Sequence, residues 1–197
     1  MKLLDINGKQ MLKSSCGPPG GIIKATIVLI ATVGSVGSAN AQFAATGTTT
    51  VSVTIGAEAA LQVNTATTTL TSAGIFGDFT GSTSLTYKIR TTQSTGAGTL
   101  TLRVTTDFSP VNGPSVASPP SGGDTLSYTC TVAAPGTACS GPITSSTTAS
   151  TSVGTFGAGA SSALAGNSAS VAWTLKNDPV YKTGAYSATV TFTVSAT

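Results

Sequence analysis

The chain contains no histidine. That removes the side chain that most often moves protons near neutral pH, the Ser-His-Asp arrangement, and most zinc sites. Charge is scarce too, at 8% of residues, too little for the basic patch that nucleic acid or anionic lipid requires. Three cysteines are too few for a disulfide-dense scaffold. No apolar run reaches the roughly 20 residues that span a bilayer. The longest near the start, Ala25 to Val36, is too short for an anchor.

That run has a context. Lys2, Lys9, Lys13 and Lys24 precede it, and Ser38-Ala39-Asn40-Ala41-Gln42 follows it. A positive start, a short apolar stretch and Ala-x-Ala before a polar residue are the layout of a secretory signal peptide. Residues 1–41 are therefore expected to be a signal cleaved after Ala41, and 42–197 a single domain without a transmembrane anchor. Met11 is an alternative start that gives a signal of more ordinary length. Cys16 does not suit a lipoprotein, because the apolar segment follows it and Lys13 stands where an aliphatic residue belongs.

Beyond the signal, Lys88, Arg90, Arg103, Lys176 and Lys182 balance Glu58, Asp78, Asp107, Asp124 and Asp178, for a net charge of zero. No nucleic-acid partner is expected. What dominates instead is Thr and Ser. A disordered glycosylated stalk has that composition, yet here Thr alternates with Val, Leu, Ile, Phe and Tyr as half-buried strands require. No Asn-x-Ser/Thr sequon occurs, so N-linked sugar is not expected.

Alternation places strands at Thr49–Ile55, Leu61–Val63, Thr67–Leu70, Ser82–Arg90, Gly98–Thr106, Thr125–Val132, Ser170–Lys176 and Tyr186–Ala196. Gln93 to Gly98 reads as a hairpin loop. Ser109 to Asp124, with four prolines and Asn112-Gly113, reads as a long excursion. Ser145 to Gly166 holds Val153 and Phe156 as its large anchors and is expected to contribute one weak strand. Short strands at this spacing, with Gly and Pro punctuation, predict an all-β fold: an antiparallel, immunoglobulin-like β-sandwich.

Candidate site residues are few. Cys130 and Cys139 enclose Pro135-Gly136, a turn signal, and are expected to form a structural disulfide across a hairpin or strand-end loop. A redox pair lacks the Cys-x-x-Cys spacing and nearby positive charge. Asp107 and Asp124 flank the long excursion and are the carboxylates to weigh for a glycosidase-type pair; turns favour Asp locally, which is the plainer reading. Asp78, Asp124 and Asp178 occur in no calcium-loop motif. No catalytic residue, metal ligand or cofactor is expected. Trp173 and Tyr181 are the candidates for stacking on a sugar ring. Trp173 lies in the alternation Val171, Trp173, Leu175, which makes it a core residue first.

Residues 170–197 carry a resemblance. Trp173-Thr174-Leu175, then Asn177-Asp178-Pro179, then Gly184-Ala185-Tyr186-Ser187-Ala188-Thr189-Val190 is similar to the ends of WxL-type cell-surface domains and of spore-coat-U-like and fimbrial-like secreted bacterial proteins. The resemblance implies an immunoglobulin-like sandwich, a bacterial surface location, and structural or adhesive work. The chain departs from those families in having one Trp, both late cysteines mid-chain, and no penultimate aromatic, so no functional residue carries over.

These readings lead to a secreted, non-enzymatic structural or adhesive component of the bacterial surface or extracellular matrix. Its expected partners are further copies of itself or other surface proteins. The alternative is a secreted carbohydrate-binding module, with glycans as partner. Tyr186 to Ala196 is long and free of charge, a hazard as an open edge, and the Thr-rich arm 42–50 leads into an alternating segment. Strand donation between subunits satisfies both, whereas pairing of both strands within one sandwich is the plainer reading.

Overall fold

The computed structural model describes residues 47–197; the signal peptide, its cleavage site, Cys16 and the choice between Met1 and Met11 lie outside them. Every regular element among the described residues is a β-strand: β1 (Glu58–Val63), β2 (Thr71–Ser72), β3 (Phe79–Arg90), β4 (Gly98–Ser109), β5 (Leu126–Val132), β6 (Thr137–Ala138), β7 (Ile143–Thr144), β8 (Thr151–Phe156), β9 (Asn167–Leu175) and β10 (Ser187–Ala196). All pairings are antiparallel and form two sheets. The first runs β1-β3-β9-β5-β7, with β2 joining the same edge of β3 below β1. The second runs β10-β4-β8-β6.

The two sheets close on one apolar layer, a sandwich-like arrangement. Because side chains alternate across a strand, Leu85, Tyr87 and Ile89 of β3 and Val171, Trp173 and Leu175 of β9 point inward from the first sheet. Leu100, Leu102 and Val104 of β4 and Val153 and Phe156 of β8 meet them from the second. Lys88 and Arg103, at the intervening positions, are exposed. Two tyrosines cross the layer. Tyr128 donates to the Ser152 carbonyl at 2.8 Å and lies 2.7 Å from Thr151 Oγ1, tying β5 to β8. Tyr87 donates to the Ala133 carbonyl and packs against Phe156.

Cys130 and Cys139 are bonded, with Cα atoms 5.6 Å apart. Cys130 lies on β5 of the first sheet, and Cys139 immediately follows β6 of the second. The expected strand-end bridge is therefore also a staple between sheets.

Three segments depart from the sequence reading. Gln93–Gly98 is not a hairpin loop, because β3 and β4 belong to different sheets and pair with other strands. A tight Gly-containing turn serves a hairpin and an inter-sheet arch equally well; the distant partners decide. Gly96 is the pivot of that arch. A Cβ there would lie 2.3 and 2.4 Å from the Thr92 backbone and 2.6 Å from the Thr197 carbonyl.

Thr67–Leu70 forms no ladder with β3. Side chains hold it instead, with Thr65 Oγ1 2.8 Å from Ser84 Oγ and Thr68 Oγ1 2.6 Å from Thr83 Oγ1. Close approach is possible because Gly81 has no side chain: a Cβ there would lie 2.7 Å from Leu70 and 2.9 Å from the Thr69 carbonyl.

Thr49–Ile55 is not a strand either. It belongs to neither sheet, with Val51 90%, Val53 81% and Ile55 61% exposed. Alternation creates a strand only where a partner edge is within reach, and β1 already occupies the edge of β3 at this end.

Candidate functional site

The feature that stands out is a cleft, and it arises from what β10 lacks. β10 pairs with β4 on one side and, among the described residues, with no strand on the other. Its inward row, Ala188, Val190, Phe192, Val194 and Ala196, is only half-buried, whereas the inward rows of β4 and β9 are buried. Across the gap, β1 passes close to β10 without hydrogen-bonding to it and ends at Val63. Below that point the first sheet recedes into the Thr65–Leu70 connection, and a cleft of about 920 Å³ opens between the sheets.

Its floor is Phe79, Thr83, Phe108, Leu126, Trp173 and Leu175; Val63 and Thr65 to Leu70 form one wall and Ala188, Val190 and Phe192 the other. Two register shifts between β10 and β4, at Ser187–Val190, add local twist at this wall. They also explain why alternation on β4 fails after Val104, where Thr105 and Thr106 are both exposed.

Polar atoms in the cleft are mostly committed to holding its shape. The Trp173 indole donates to Thr83 Oγ1 at 2.8 Å, and Thr83 in turn meets Thr68. This relay fastens the wall to the core. Tyr186 Oη donates to the Lys182 carbonyl at 2.7 Å, closing the turn that leads into β10.

The residues singled out in the sequence are distributed differently. Trp173 is 5% exposed, with its ring tilted against Tyr128 at 5.5 Å; it contributes floor rather than a free face. Tyr181 lines the cleft mouth half-buried, and its hydroxyl meets no hydrogen-bond partner of good geometry among the described residues. Burial first, then the negative charges of Asp124 and Asp178, push its pKa well above the ordinary tyrosine value. It stays a neutral phenol at any physiological pH.

Asp107 and Asp124 do not converge on the cleft; neither lines it. Asp107 instead anchors the excursion that follows β4. Its carboxylate accepts from Ser115 Oγ at 2.6 Å, and from the backbone N–H groups of Val116 at 2.7 Å, Phe108 at 2.8 Å and Ala117 at 3.1 Å. Asp124 closes its own turn, accepting from the Ser121 N–H at 3.2 Å. Both take the turn role that Asp favours. Among the described residues, no three His, Cys, Asp or Glu side chains gather as a metal site would require, and no helix is long and apolar enough to cross a membrane.

The Asp107 anchor makes a pH prediction. Burial pushes its carboxyl pKa up, but the hydrogen bonds, led by Ser115, more than reverse this, so the pKa lies below its ordinary value. A depressed folded-state pKa stabilises the fold above the unfolded value of about 3.9 and loses that contribution as pH falls through the folded value. Asp107→Asn cannot accept all four bonds and is expected to cost about 1–2 kcal/mol at neutral pH. The difference from the parent should shrink as pH drops below about 4, because protonation disables the parent carboxylate too. Urea unfolding at pH 7 and pH 3 measures this; an equal difference at both would show that the anchor does not depend on charge.

Comparison with protein-family models, with curated proteins and with solved structures finds no match to this chain. The cleft therefore has to be read from its own chemistry. The sequence flagged β10 as a charge-free strand, but it missed Thr68, Thr83, Phe108 and Phe192 as parts of one surface. The signal for Phe192 was present, since an apolar alternation with no charge on the other face is unusual for an edge.

Proposed function

We propose that this protein is an exported, non-enzymatic structural or adhesive component of the bacterial cell surface or extracellular matrix, built on an immunoglobulin-like sandwich. The observation that carries this reading is the half-buried inward row of β10 beside an unpaired backbone edge. An open edge offers backbone donors and acceptors in a line, and the apolar row below it takes alternate side chains, which together suit an extended polypeptide. The charge-poor, Thr-rich exterior and the leader-like residues 1–41 support work outside the cytoplasm.

Glycan binding is the second reading, and Tyr181 at the cleft mouth favours it. Trp173 supports it less, since little of its ring reaches the surface.

Production of the full chain in a bacterial host tests the proposal. Intact-mass measurement should find a product beginning at Gln42, and surface labelling of whole cells should reach it. Recovery of the uncleaved chain in the cytoplasm would sink the reading. Retardation in a polysaccharide affinity gel would favour the glycan alternative.

A further inference from the structure

One end of the sandwich carries large apolar side chains that the core does not use. β3 begins there at Phe79, opposite the last residue of β9, and β4 ends there at Ser109, opposite the first residue of β10. Three connections meet at this end: 73–78, 110–125 and 176–186. Ile75 and Phe76 in the first are 96% and 61% exposed, Val111 in the second 79%, and Val180 in the third 52%. Gly56, the root of the N-terminal arm, lies against Arg90 at the other end of β3.

These loops are built to hold their shape. Gly77 N–H donates to the Gly74 carbonyl at 3.1 Å, and Ser72 Oγ lies 2.6 Å from the Gly77 carbonyl and 2.8 Å from that of Gly74. The turn so closed lifts Ile75 and Phe76 at its apex. Phe76 sits at φ 56°, in the left-handed region that favours Gly or Asn and disfavours a bulky side chain. Strain of this kind persists where the surroundings over-determine it and clusters at functional positions. Asn177 Nδ2 donates to the Gly77 carbonyl at 3.2 Å, and Lys182 N–H to the Asn112 carbonyl at 2.9 Å. The three loops are thereby joined. Val180 N–H is satisfied too, by Asp178 Oδ1 at 2.7 Å.

We infer that this end of the sandwich seats on a lipid bilayer, with Ile75, Phe76, Val111 and Val180 entering the acyl region. A protein partner wants a continuous face of about 800 Å² on each side. Here the apolar side chains stand singly on three convex loops, and a fluid acyl layer needs no matching shape. The loop hydrogen bonds listed above matter as well, because backbone groups that enter lipid must be satisfied internally. Charge decides which lipid. Lys176 is paired with Asp78 at 2.8 Å, and Lys182 is offset by Asp178. Asp107 and Asp124 are turned into their own loops. No excess of positive charge selects anionic headgroups, so a zwitterionic surface suffices. The exposed lysines can lay their stems along the apolar layer while their ammonium groups stay among the phosphates. Four side chains give reversible attachment.

The test uses the chain as a bacterial host exports it, with its start fixed by intact mass. The parent is expected to co-sediment with phosphatidylcholine vesicles, and adding phosphatidylglycerol should not strengthen binding. Ile75→Ser combined with Phe76→Asn should bind on the order of 100-fold more weakly, since each lost side chain is worth about tenfold or more when buried. The same variant should unfold in urea at the parent's midpoint or above it, because Asn accepts the positive φ that strains Phe76. Val51→Ser combined with Val53→Ser removes equally exposed side chains from the arm and should bind as the parent does.

A parent that ignores the vesicles, or a tip variant that binds them undiminished, would overturn the inference. Equal loss in the arm variant would overturn it too, by showing attachment without direction. Binding that requires phosphatidylglycerol would assign attachment to charge instead of the tip. Parent oligomers that the tip variant dissolves would place a second copy on this end and remove the bilayer. Export and surface exposure are decided separately, by the cleavage and labelling described above.

Discussion

Trp173→Ala is expected to lower the stability of the fold by about 3–5 kcal/mol, the range for truncating a buried aromatic to alanine. Three losses combine. The ring is 5% exposed and packs against Tyr128, so its removal leaves a cavity between β9 and β5. The indole N–H no longer meets Thr83 Oγ1, so Thr83, itself buried, loses one partner. Thr83 also meets Thr68, so the wall of the cleft loosens with the core. Against a total stability of about 5–15 kcal/mol for ordinary domains, a loss of this size leaves the protein marginal. Trp173→Phe separates the contributions. It retains most of the apolar contact and lacks the donor, and should cost about 1–3 kcal/mol. Urea unfolding of the three proteins measures both, and near-equal stability of Trp173→Phe and Trp173→Ala would show that the indole donor outweighs packing at this site.

Loss of the disulfide comes next in size. Cys130 and Cys139 are separated by nine positions, and closing a loop of about ten residues stabilises by roughly 2.5–3 kcal/mol through the entropy removed from the unfolded chain. Cys130→Ser with Cys139→Ser should lower stability by about that amount. Because the bridge joins Cys130 within β5 to the residue after β6, in opposite sheets, the variant should also expose the Ala133–Ala138 segment to hydrogen exchange. The Tyr87 hydroxyl bond to Ala133 remains and limits that opening. Reductant should destabilise the parent and leave the double variant unchanged; a parent insensitive to reductant and as stable as the double variant would mean that the bridge contributes nothing in solution.

The strands with buried partners on both sides were legible in the sequence because their alternation is strong. Leu85, Tyr87 and Ile89 on β3, Leu100, Leu102 and Val104 on β4, and Val171, Trp173 and Leu175 on β9 all face inward as the period of two requires. β9 ends at Leu175, just before the Asn177-Asp178-Pro179 turn signal. The structural reading of the cysteine pair also followed from residue type and spacing, and the bridge is present.

Thr49–Ile55 carries the same signal as those strands and yet lies outside the sheets. Alternation reports that a segment is able to pair; it carries no information on whether an edge is available. The arch between β3 and β4 fails for the same reason, since its turn chemistry is shared by hairpins and crossovers. Likewise Asp107 and Asp124 flank the excursion in sequence, while their hydrogen bonds commit each to a separate turn.

Composition and periodicity alone therefore determined an antiparallel all-β chain, its inward residues and its covalent bridge, because each depends on side-chain type within a few positions. Only the tertiary structure decided which strands share a sheet, that β10 has one strand partner among the described residues, and that Thr68, Thr83, Trp173 and Phe192 enclose one cleft. These depend on contacts between residues about 100 positions apart, as between the Thr92 N–H and the Thr197 carbonyl. Local preference cannot encode such contacts; the closing of two sheets on a shared apolar layer selects them.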